Sequence, residues 1–401
     1  MIFKKIHLLM LCITGFLAMA GGALLAPVLP EMVGPLQTNT NTIGLLMSVY
    51  TLSTAIFTLI IGHFIDRVNR KKVLIPCLVI YGVTGLFSFF ITDLTSMLIL
   101  RFIQGIGVAG MMTLALLIIG DVYKGFDSVK AISRVSMSLA IGAISAPVIG
   151  GGLAILGWNY PFLFYALSLP FALIVIVLLP ETKDQKMITK PKGLLDALPA
   201  LREIPISYTI FMAFVVYFLL YSLITYVPFM LKEMFGFASA QSGLMLAVEG
   251  IAVVLITSRV NTLTRRFSLI SVIIGGFALI GVAFICMPYV NSIAIIILLL
   301  VLFGAGYGLA QTAIDIQIVQ IIPSLSKGGI LSIHTCMKYM GMSLSPIVLG
   351  VVLTFSGLYS IFIITGILGL LIALVTCGLR KQYNNKDIHQ TMSSENADTP
   401  T

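Results

Sequence analysis

Charged residues are scarce in this sequence. Asp, Glu, Lys and Arg make up 10% of its 401 residues, whereas a soluble domain averages about 25%. Hydrophobic residues account for 59%, and the mean hydropathy is +1.08. A soluble protein of this composition could not cover its surface with polar groups, so most of the chain must be surrounded by lipid. The scarcity of charge therefore predicts an integral membrane protein.

Patterns that hold metals or carry out catalysis are missing as well. No two cysteines form a CxxC pair, and we interpret all five as small core residues in or beside apolar runs: Cys12, Cys77, Cys286, Cys336 and Cys377. No ATPase motif, zinc-ligand spacing or nucleophile elbow occurs, and the glycine-rich spacings lie within apolar runs rather than after a strand. We therefore expect a protein that is not an enzyme and that has no metal or other cofactor.

Twelve apolar runs are long enough to cross the ~30 Å hydrocarbon core of a bilayer, which takes about 20 helical residues. They are predicted as helices 1 to 12, in chain order: 6–29, 42–62, 73–91, 95–120, 134–156, 161–180, 207–231, 239–260, 268–288, 292–316, 330–355 and 358–379. The longest polar segment between them, 181–206, is too short for the large soluble module that a membrane receptor or scaffold protein needs.

That segment divides the chain into two sets of six helices. We expect a six-helix bundle over 1–180, a cytoplasmic linker over 181–206 with a short amphipathic helix near 194–201, a second bundle over 207–380, and a disordered tail over 381–401. Four pairs of residues repeat at a constant offset of 199: Gly105 and Gly304, Gly107 and Gly306, Pro147 and Pro346, and Gly151 and Gly350. The offset predicts an all-α membrane protein with two pseudo-symmetric bundles and a substrate site between them.

Lys and Arg alternate between the two sides of the predicted membrane. With the N-terminus inside, 21 of the 24 cations fall in inner segments and Lys232 is the single one in an outer loop. Arg101 and Lys338 lie within predicted helices. This asymmetry predicts a multi-pass protein of the cytoplasmic membrane with both termini in the cytoplasm. Because the net charge of +9 comes from short loops and not from a basic face, we expect no nucleic-acid partner.

Three motifs in the first half resemble those of a known transporter family. Their sequences are Gly62-x-x-x-Asp66-Arg67-x-x-Arg70-Lys71-Lys72, Arg101-x-x-Gln104-Gly105-x-Gly107 and Gly142-x-x-x-Ala146-Pro147-x-x-Gly150-Gly151. With them, nearly the whole chain resembles the major facilitator superfamily, and within it the twelve-helix drug:proton antiporter branch. The first motif departs from the family at Asn69 and the third at Ala146, where glycine is usual.

The resemblance assigns expected roles to these residues. It implies a gate latch at the inner membrane surface, in which Asp121 is an arginine partner; the latch residues are Gly62, Asp66, Arg67, Arg70 and Asp121. It also implies an antiporter motif in helix 5, which favours export over import; its residues are Gly142, Pro147, Gly150 and Gly151. The alternative for the loop is that its cations only set the topology.

Two ionisable residues lie singly within predicted helices. Such residues are costly in a membrane and are candidates for function by default. The resemblance gives Arg101 a role in proton coupling; alternatively, its side chain snorkels to the outer surface or donates to backbone carbonyls. Glu249 lies near the middle of helix 8 with no cation within a turn. It can exchange a proton for a cationic substrate group, or remain protonated as a structural residue, and we rank it as the best coupling candidate.

Asp315 and Lys338 lie on polar stripes of helices 10 and 11 at similar depth. We predict that they pair, because two unpaired charges there would be costly. The pair is either structural or part of proton coupling. We expect His334, one turn before Lys338, at the loop edge; the alternative is a role as a proton relay.

The aromatic and polar residues most suited to a promiscuous cavity are Tyr50, Tyr217, Tyr221, Tyr307 and Gln311. The sequence therefore predicts a monomeric secondary transporter that exports amphipathic small molecules, driven by the proton gradient. Proton-coupled uptake of a nutrient and a lipid or glycolipid flippase on the same fold are the alternatives. No motif specifies the substrate.

Overall fold

Twelve membrane-spanning helices form this protein in a computed structural model, which describes residues 4–64, 68–123, 125–181, 199–322 and 327–395. The spans of helices 1 to 12 are Lys5–Met32, Thr40–Gly62, Arg70–Ser88, Leu94–Val122, Asp127–Ala154, Pro161–Leu178, Ile204–Phe235, Ser239–Thr257, Leu269–Tyr289, Ile293–Ile321, Gly329–Ser356 and Leu358–Arg380. Regular structure within the described ranges is entirely helical. The predicted all-α membrane fold is therefore confirmed.

Several helices extend beyond the apolar runs that predicted them. Helix 5 already begins at Gly125, and the helical segment at the end of the chain runs Leu358–Glu395. Hydropathy marks the part of a helix that lies in lipid, whereas backbone hydrogen bonds continue into polar residues. The segment is helical as far as Glu395, and the disorder predicted for the tail over 381–401 stays a prediction. The predicted helix near 194–201 lies mostly outside the described residues.

Helix 1 changes its geometry before it ends. An α-helix over Lys5–Ala23 is followed by a 3-10 turn over Ala26–Val28 and a last α-turn over Leu29–Met32. Pro27 and Pro30 lie at the starts of these two turns, where a residue without an N–H is tolerated. Below, the outer end means the end of the bundle that holds Met32, Thr40, Ala154 and Ser239; the inner end is the opposite one.

Helix packing repeats between the two halves. Helix 4 packs on helices 2 and 3 as helix 10 packs on helices 8 and 9, and helix 1 packs on helix 5 as helix 7 packs on helix 11. The halves meet through helix 5 against helix 8 and through helix 11 against helix 2, which is the same pairing shifted by six helices.

The repeated glycines lie at equivalent crossings. A Cβ atom at Gly105 would lie 2.5 Å from the carbonyl oxygen of Tyr50, and one at Gly304 would lie 2.5 Å from that of Glu249. Positions 50 and 249 also differ by 199. The offset read from the sequence therefore marks positions that are equivalent in the structure, as close helix packing in membranes requires of small residues.

Candidate functional site

The two halves are held together tightly at the outer end. The Glu31 carboxylate of helix 1 accepts a hydrogen bond of 2.9 Å from the backbone N–H of Ser239, at the start of helix 8. Lys232 Nζ donates to the Pro30 carbonyl oxygen at 3.0 Å. Because a carboxylate stabilises a helix N-terminus, Glu31 joins the first half to helix 8 of the second.

Glycines of the helix 5 motif make this close approach possible. A side chain at Gly151 would clash with the Ser239 carbonyl of helix 8, and one at Gly150 with the Leu24 carbonyl of helix 1. At Gly142, a Cβ would lie 2.8 Å from the Phe16 carbonyl oxygen. Pro147 lies inside helix 5 and its carbonyl faces Gly243 of helix 8. The motif therefore packs helix 5 on helix 1 and on the other half.

An apolar cavity of about 140 Å³ lies between the halves, on the inner side of this contact. Helices 1, 2, 4, 5 and 11 contribute its lining: Gly15, Thr58, Met112, Thr113, Ala115, Leu116, Val135, Leu139, Thr335 and Tyr339. Tyr339 reaches across the interface, and its hydroxyl lies 2.9 Å from Met112 Sδ. A cavity bounded by both halves can change shape when the halves move.

The lining of the cavity and the polar stripes of the second half occupy equivalent positions. Four lining residues of the first half correspond, at the offset of 199, to four polar residues of the second: Met112 to Gln311, Leu116 to Asp315, Val135 to His334 and Leu139 to Lys338. The repeat therefore presents an apolar wall in one half and a polar cluster in the other, which suits an amphipathic ligand.

Asp315 is the centre of that polar cluster. Its Oδ1 lies 2.6 Å from Lys338 Nζ and 2.9 Å from His334 Nε2, and its Oδ2 accepts a hydrogen bond of 3.0 Å from Gln311. The predicted pairing of Asp315 with Lys338 is thus present. The expectation that His334 lies at the loop edge is wrong, because helix 11 begins near Lys327 and carries the imidazole inward, where it is 3% exposed.

Neutralising this ion pair tests whether it is only structural. Asp315→Asn alone leaves Lys338 without its countercharge, and because the pair is only partly buried the expected cost is below the about 3–5 kcal/mol of a fully buried pair. We expect lower thermal stability in Asp315→Asn and recovered stability in the double variant Asp315→Asn/Lys338→Met. If the pair takes part in coupling, transport stays lost in the double variant; recovered transport would make the pair structural.

Glu249 is buried in helix 8 without a charge partner. Glu249 is 6% exposed, and its Oε1 has no hydrogen-bond partner among the described residues. Within the same residues no cation forms an ion pair with it. Burial makes the ionised carboxyl costly. The side chain is therefore placed to take up a proton.

Arg101 is enclosed by aromatic rings of the first half. Its guanidinium donates to Gln104 Oε1 at 2.7 Å and to the Tyr165 hydroxyl at 3.2 Å. The Cζ atom lies 5.0 Å from the ring centroid of Tyr165, 5.2 Å from that of Phe162 and 5.7 Å from that of Tyr50. Because Arg101 is 2% exposed, it does not snorkel to the surface, and its hydrogen bonds go to side chains rather than to backbone carbonyls.

The predicted latch is described only in part. Asp66 and Arg67 lie outside the described residues, and a side chain at Gly62 would meet open space. Arg70 is buried, and its Nε lies 2.9 Å from Asp121 Oδ2 of helix 4. Its backbone N–H donates to Glu181, just after helix 6. Through these two contacts Arg70 joins the inner ends of helices 3, 4 and 6.

Asp121→Asn tests the latch. The change removes one charge of the pair and is expected to lower transport several-fold with little loss of thermal stability, since partly exposed ion pairs contribute about 0–1 kcal/mol. Transport assays should give a several-fold lower rate for Asp121→Asn and an unchanged rate for the control Asp127→Asn, which alters an exposed residue. Unaltered transport in Asp121→Asn would leave the loop cations with a role in topology alone.

The predicted cavity residues lie elsewhere. Among the described residues that line the 140 Å³ cavity, none of Tyr50, Tyr217, Tyr221, Tyr307 and Gln311 is present. Tyr217 and Tyr307 pack edge to face with centroids 5.8 Å apart, and the Tyr217 ring lies 5.4 Å from Lys338 Nζ. In this conformation Tyr217 therefore packs within the second half, against Tyr307 and beside Lys338.

A glycine pair in helix 1 allows the tyrosines to meet. A Cβ at Gly21 would lie 2.5 Å from the Tyr50 hydroxyl and 2.7 Å from that of Tyr81, and one at Gly22 would lie 3.0 Å from the Tyr221 hydroxyl. Sequence reasoning missed these two residues, although adjacent glycines within a membrane helix are a signal of close packing.

The comparisons with known proteins agree with this architecture. The chain is 27% identical to a protein named Bacillibactin exporter of Bacillus subtilis (strain 168) over 92% of this chain and 95% of that one. It is 26% identical to Multidrug resistance protein 1 of the same strain, over 92% and 96% of the two chains.

Solved structures share the fold. A bacterial homolog of the human lysosomal transporter Spinster, in an inward-facing and unoccupied conformation, matches with a TM-score of 0.81, 19% identity and coverage of 96% of this chain and 99% of that one. The nucleoside transporter NupG matches with a TM-score of 0.79 and 17% identity, over 94% and 99%. The family model of the Major Facilitator Superfamily matches residues 11–330 and 262–393. The chain therefore belongs to the Major Facilitator Superfamily.

Proposed function

We propose that this protein exports amphipathic small molecules across the cytoplasmic membrane in exchange for protons. It works by alternating access as a monomer, with both termini in the cytoplasm, and uses the proton gradient without a bound cofactor. The observation that carries the proposal is the interface itself. An apolar cavity lies between the halves, and the second half carries a polar cluster at positions equivalent to the cavity lining of the first. The second half also carries Glu249, a buried carboxyl that forms no ion pair within the described residues.

Alternating access is supported by how the halves touch. Their contacts at the outer end depend on glycine-to-backbone packing and on single polar links such as Glu31 to Ser239. Such contacts can separate without unfolding either half. We assign the present conformation to the inward-facing state, and the outward-facing state follows when the outer contacts open and the inner ends approach.

Export is supported by the relatives. The proteins named Bacillibactin exporter and Multidrug resistance protein 1 align over more than nine-tenths of this chain. Uptake by symport and lipid flipping would use the same fold, so the experiment must report direction.

A tolerance screen tests the function. Cells that overproduce the protein are grown with a panel of amphipathic toxic compounds, and intracellular accumulation of each compound is measured with and without a protonophore. We expect lower accumulation of at least one compound, which the protonophore abolishes. Higher accumulation would indicate uptake, and unchanged accumulation across the panel would count against export.

A further inference from the structure

Arg101 differs from the other buried charges that the structure describes within the membrane. Glu249 can lose its charge by binding a proton, and Asp315 and Lys338 neutralise each other at 2.6 Å. Arginine stays protonated in proteins, and in the described part of the chain Arg101 has no acidic partner. A fixed, unneutralised cation therefore remains in the middle of the first half.

The surroundings of this cation leave hydrogen-bonding capacity unused. Arg101 Nε and the Tyr50 hydroxyl are both buried and have no hydrogen-bond partner among the described residues. The rings of Tyr50, Phe162 and Tyr165 lie within 5.0 to 5.7 Å of the guanidinium carbon. An aromatic acid could bind here, because the guanidinium N–H groups can donate to its carboxylate and the aromatic rings can stack on its ring.

Arg101 and the rings of Tyr50, Phe162 and Tyr165 are called the box below. Tyr50 separates this box from the other half. Its ring faces Arg101 on one side, and on the other its Cε1 lies 3.9 Å from the Cβ position of Gly22, which the Tyr221 hydroxyl of helix 7 also approaches. Because the Tyr50 hydroxyl has no hydrogen-bond partner in the part of the chain that the structure describes, no hydrogen bond from that part holds the ring in place. Rotation of this one side chain would open the box towards the interface between the halves.

The repeat shows that the box belongs to one half only. At the offset of 199, Arg101 corresponds to Leu300 and Tyr50 corresponds to Glu249. The first half thus keeps a permanent cation at this depth, whereas the second half has a carboxyl whose charge depends on a proton. A ligand that spans the interface meets a positive site on one side in every protonation state.

We propose that Arg101 and Tyr50 bind the acidic group of the transported molecule, and that the substrates are aromatic or amphipathic organic acids. The carboxylate or phenolate pairs with the Arg101 guanidinium and accepts a hydrogen bond from the Tyr50 hydroxyl, while its ring stacks between Tyr50 and Phe162. This names the substrate class of the proposed exporter and rests on that function only for the statement that the ligand is transported.

Binding to the purified full chain in lipid nanodiscs tests this proposal. Three ligands share one ring system and differ in charge: 1-naphthoate, 1-naphthamide and 1-naphthylmethylammonium. Calorimetry at neutral pH should give a Kd for naphthoate at least about tenfold below those of the amide and the ammonium, as expected for a charge-assisted hydrogen bond. This comparison uses the unaltered protein and does not depend on any variant folding.

Variants locate the site. Arg101→Gln should raise the Kd for naphthoate about tenfold or more, to the Kd of the amide, and should leave the Kd of the amide unchanged. Arg101→Lys, which keeps the charge but not the fork, should retain part of the preference. Arg134→Gln removes an exposed cation from helix 5 and should change nothing. Since no gradient is used, failure of proton-driven transport leaves these results unaffected.

Several results would overturn the proposal. They are tighter or equal binding of the ammonium, no measurable binding of naphthoate, a preference for naphthoate that survives Arg101→Gln, and a loss that is equal for all three ligands. An equal loss would give Arg101 a purely structural role within its aromatic rings.

Discussion

Glu249→Gln is expected to reduce proton movement coupled to transport to the level of protein-free liposomes. Glutamine keeps the shape and the neutral state of a protonated glutamate but cannot release a proton. The Glu249 side chain is buried, and within the described residues its Oε1 has no hydrogen-bond partner that the change would remove. We therefore expect yield, gel-filtration profile and thermal stability to stay close to those of the unaltered protein.

The control for this prediction is Glu233→Gln, the same chemical change at an exposed position at the outer end of helix 7. It should retain full coupling. A Glu249→Gln protein that still moves protons with its substrate would remove Glu249 from the mechanism and leave the Asp315 cluster as the coupling candidate.

Alanine at each of three adjacent glycines in helix 5 is expected to give three different results. At Gly150 the added methyl group meets the Leu24 backbone within the first half, so Gly150→Ala should lower thermal stability and yield; overpacking costs about 1–3 kcal/mol or more. At Gly151 it meets the Ser239 backbone of the other half, so Gly151→Ala should fold but oppose closure of the outer end.

Gly152 provides the matched control, because a Cβ there meets nothing within 4 Å. Gly152→Ala should transport normally. Closure is measured with a single cysteine introduced at the outer end and its rate of labelling by a membrane-impermeant maleimide. Faster labelling and reduced transport are expected for Gly151→Ala alone. Equal labelling in Gly151→Ala and Gly152→Ala would contradict the role of the helix 5 motif in outer closure.

The sequence allowed a correct prediction of the twelve spans and of the repeat, because both depend on local composition. Length and hydropathy locate a helix in lipid, and glycines at a constant offset mark equivalent crossings. The pairing of Asp315 with Lys338 was also predictable, since helical spacing places both on polar faces and an unpaired charge is costly in a membrane.

The surroundings of Arg101 were not predictable from the sequence. Phe162 and Tyr165 approach it from helix 6, and helical spacing contains no information about which neighbouring helix supplies a side chain. His334 was misplaced for a different reason. Hydropathy placed the start of helix 11 too late, at residue 330, whereas the helix begins at Lys327 and brings the imidazole to Asp315.

The cavity shows a third kind of difference. Tyr50 and Tyr221 approach Gly21 and Gly22, Tyr217 packs on Tyr307, and a cavity that none of the four lines lies beside Met112 and Tyr339. A sequence does not specify which of two alternating conformations is populated. The repeat offset, once applied to the polar stripes of helices 10 and 11, would have pointed to these lining positions.

Proton movement in liposomes tests the proposed exchange most directly. The purified protein is reconstituted with a pH-sensitive dye inside, and a gradient of a compound identified by the tolerance screen is imposed without a pH gradient. Exchange predicts that protons move opposite to the compound, saturably, and not in liposomes with Glu249→Gln. Protons that move in the same direction as the compound, or transport of the compound without any proton movement, would contradict it.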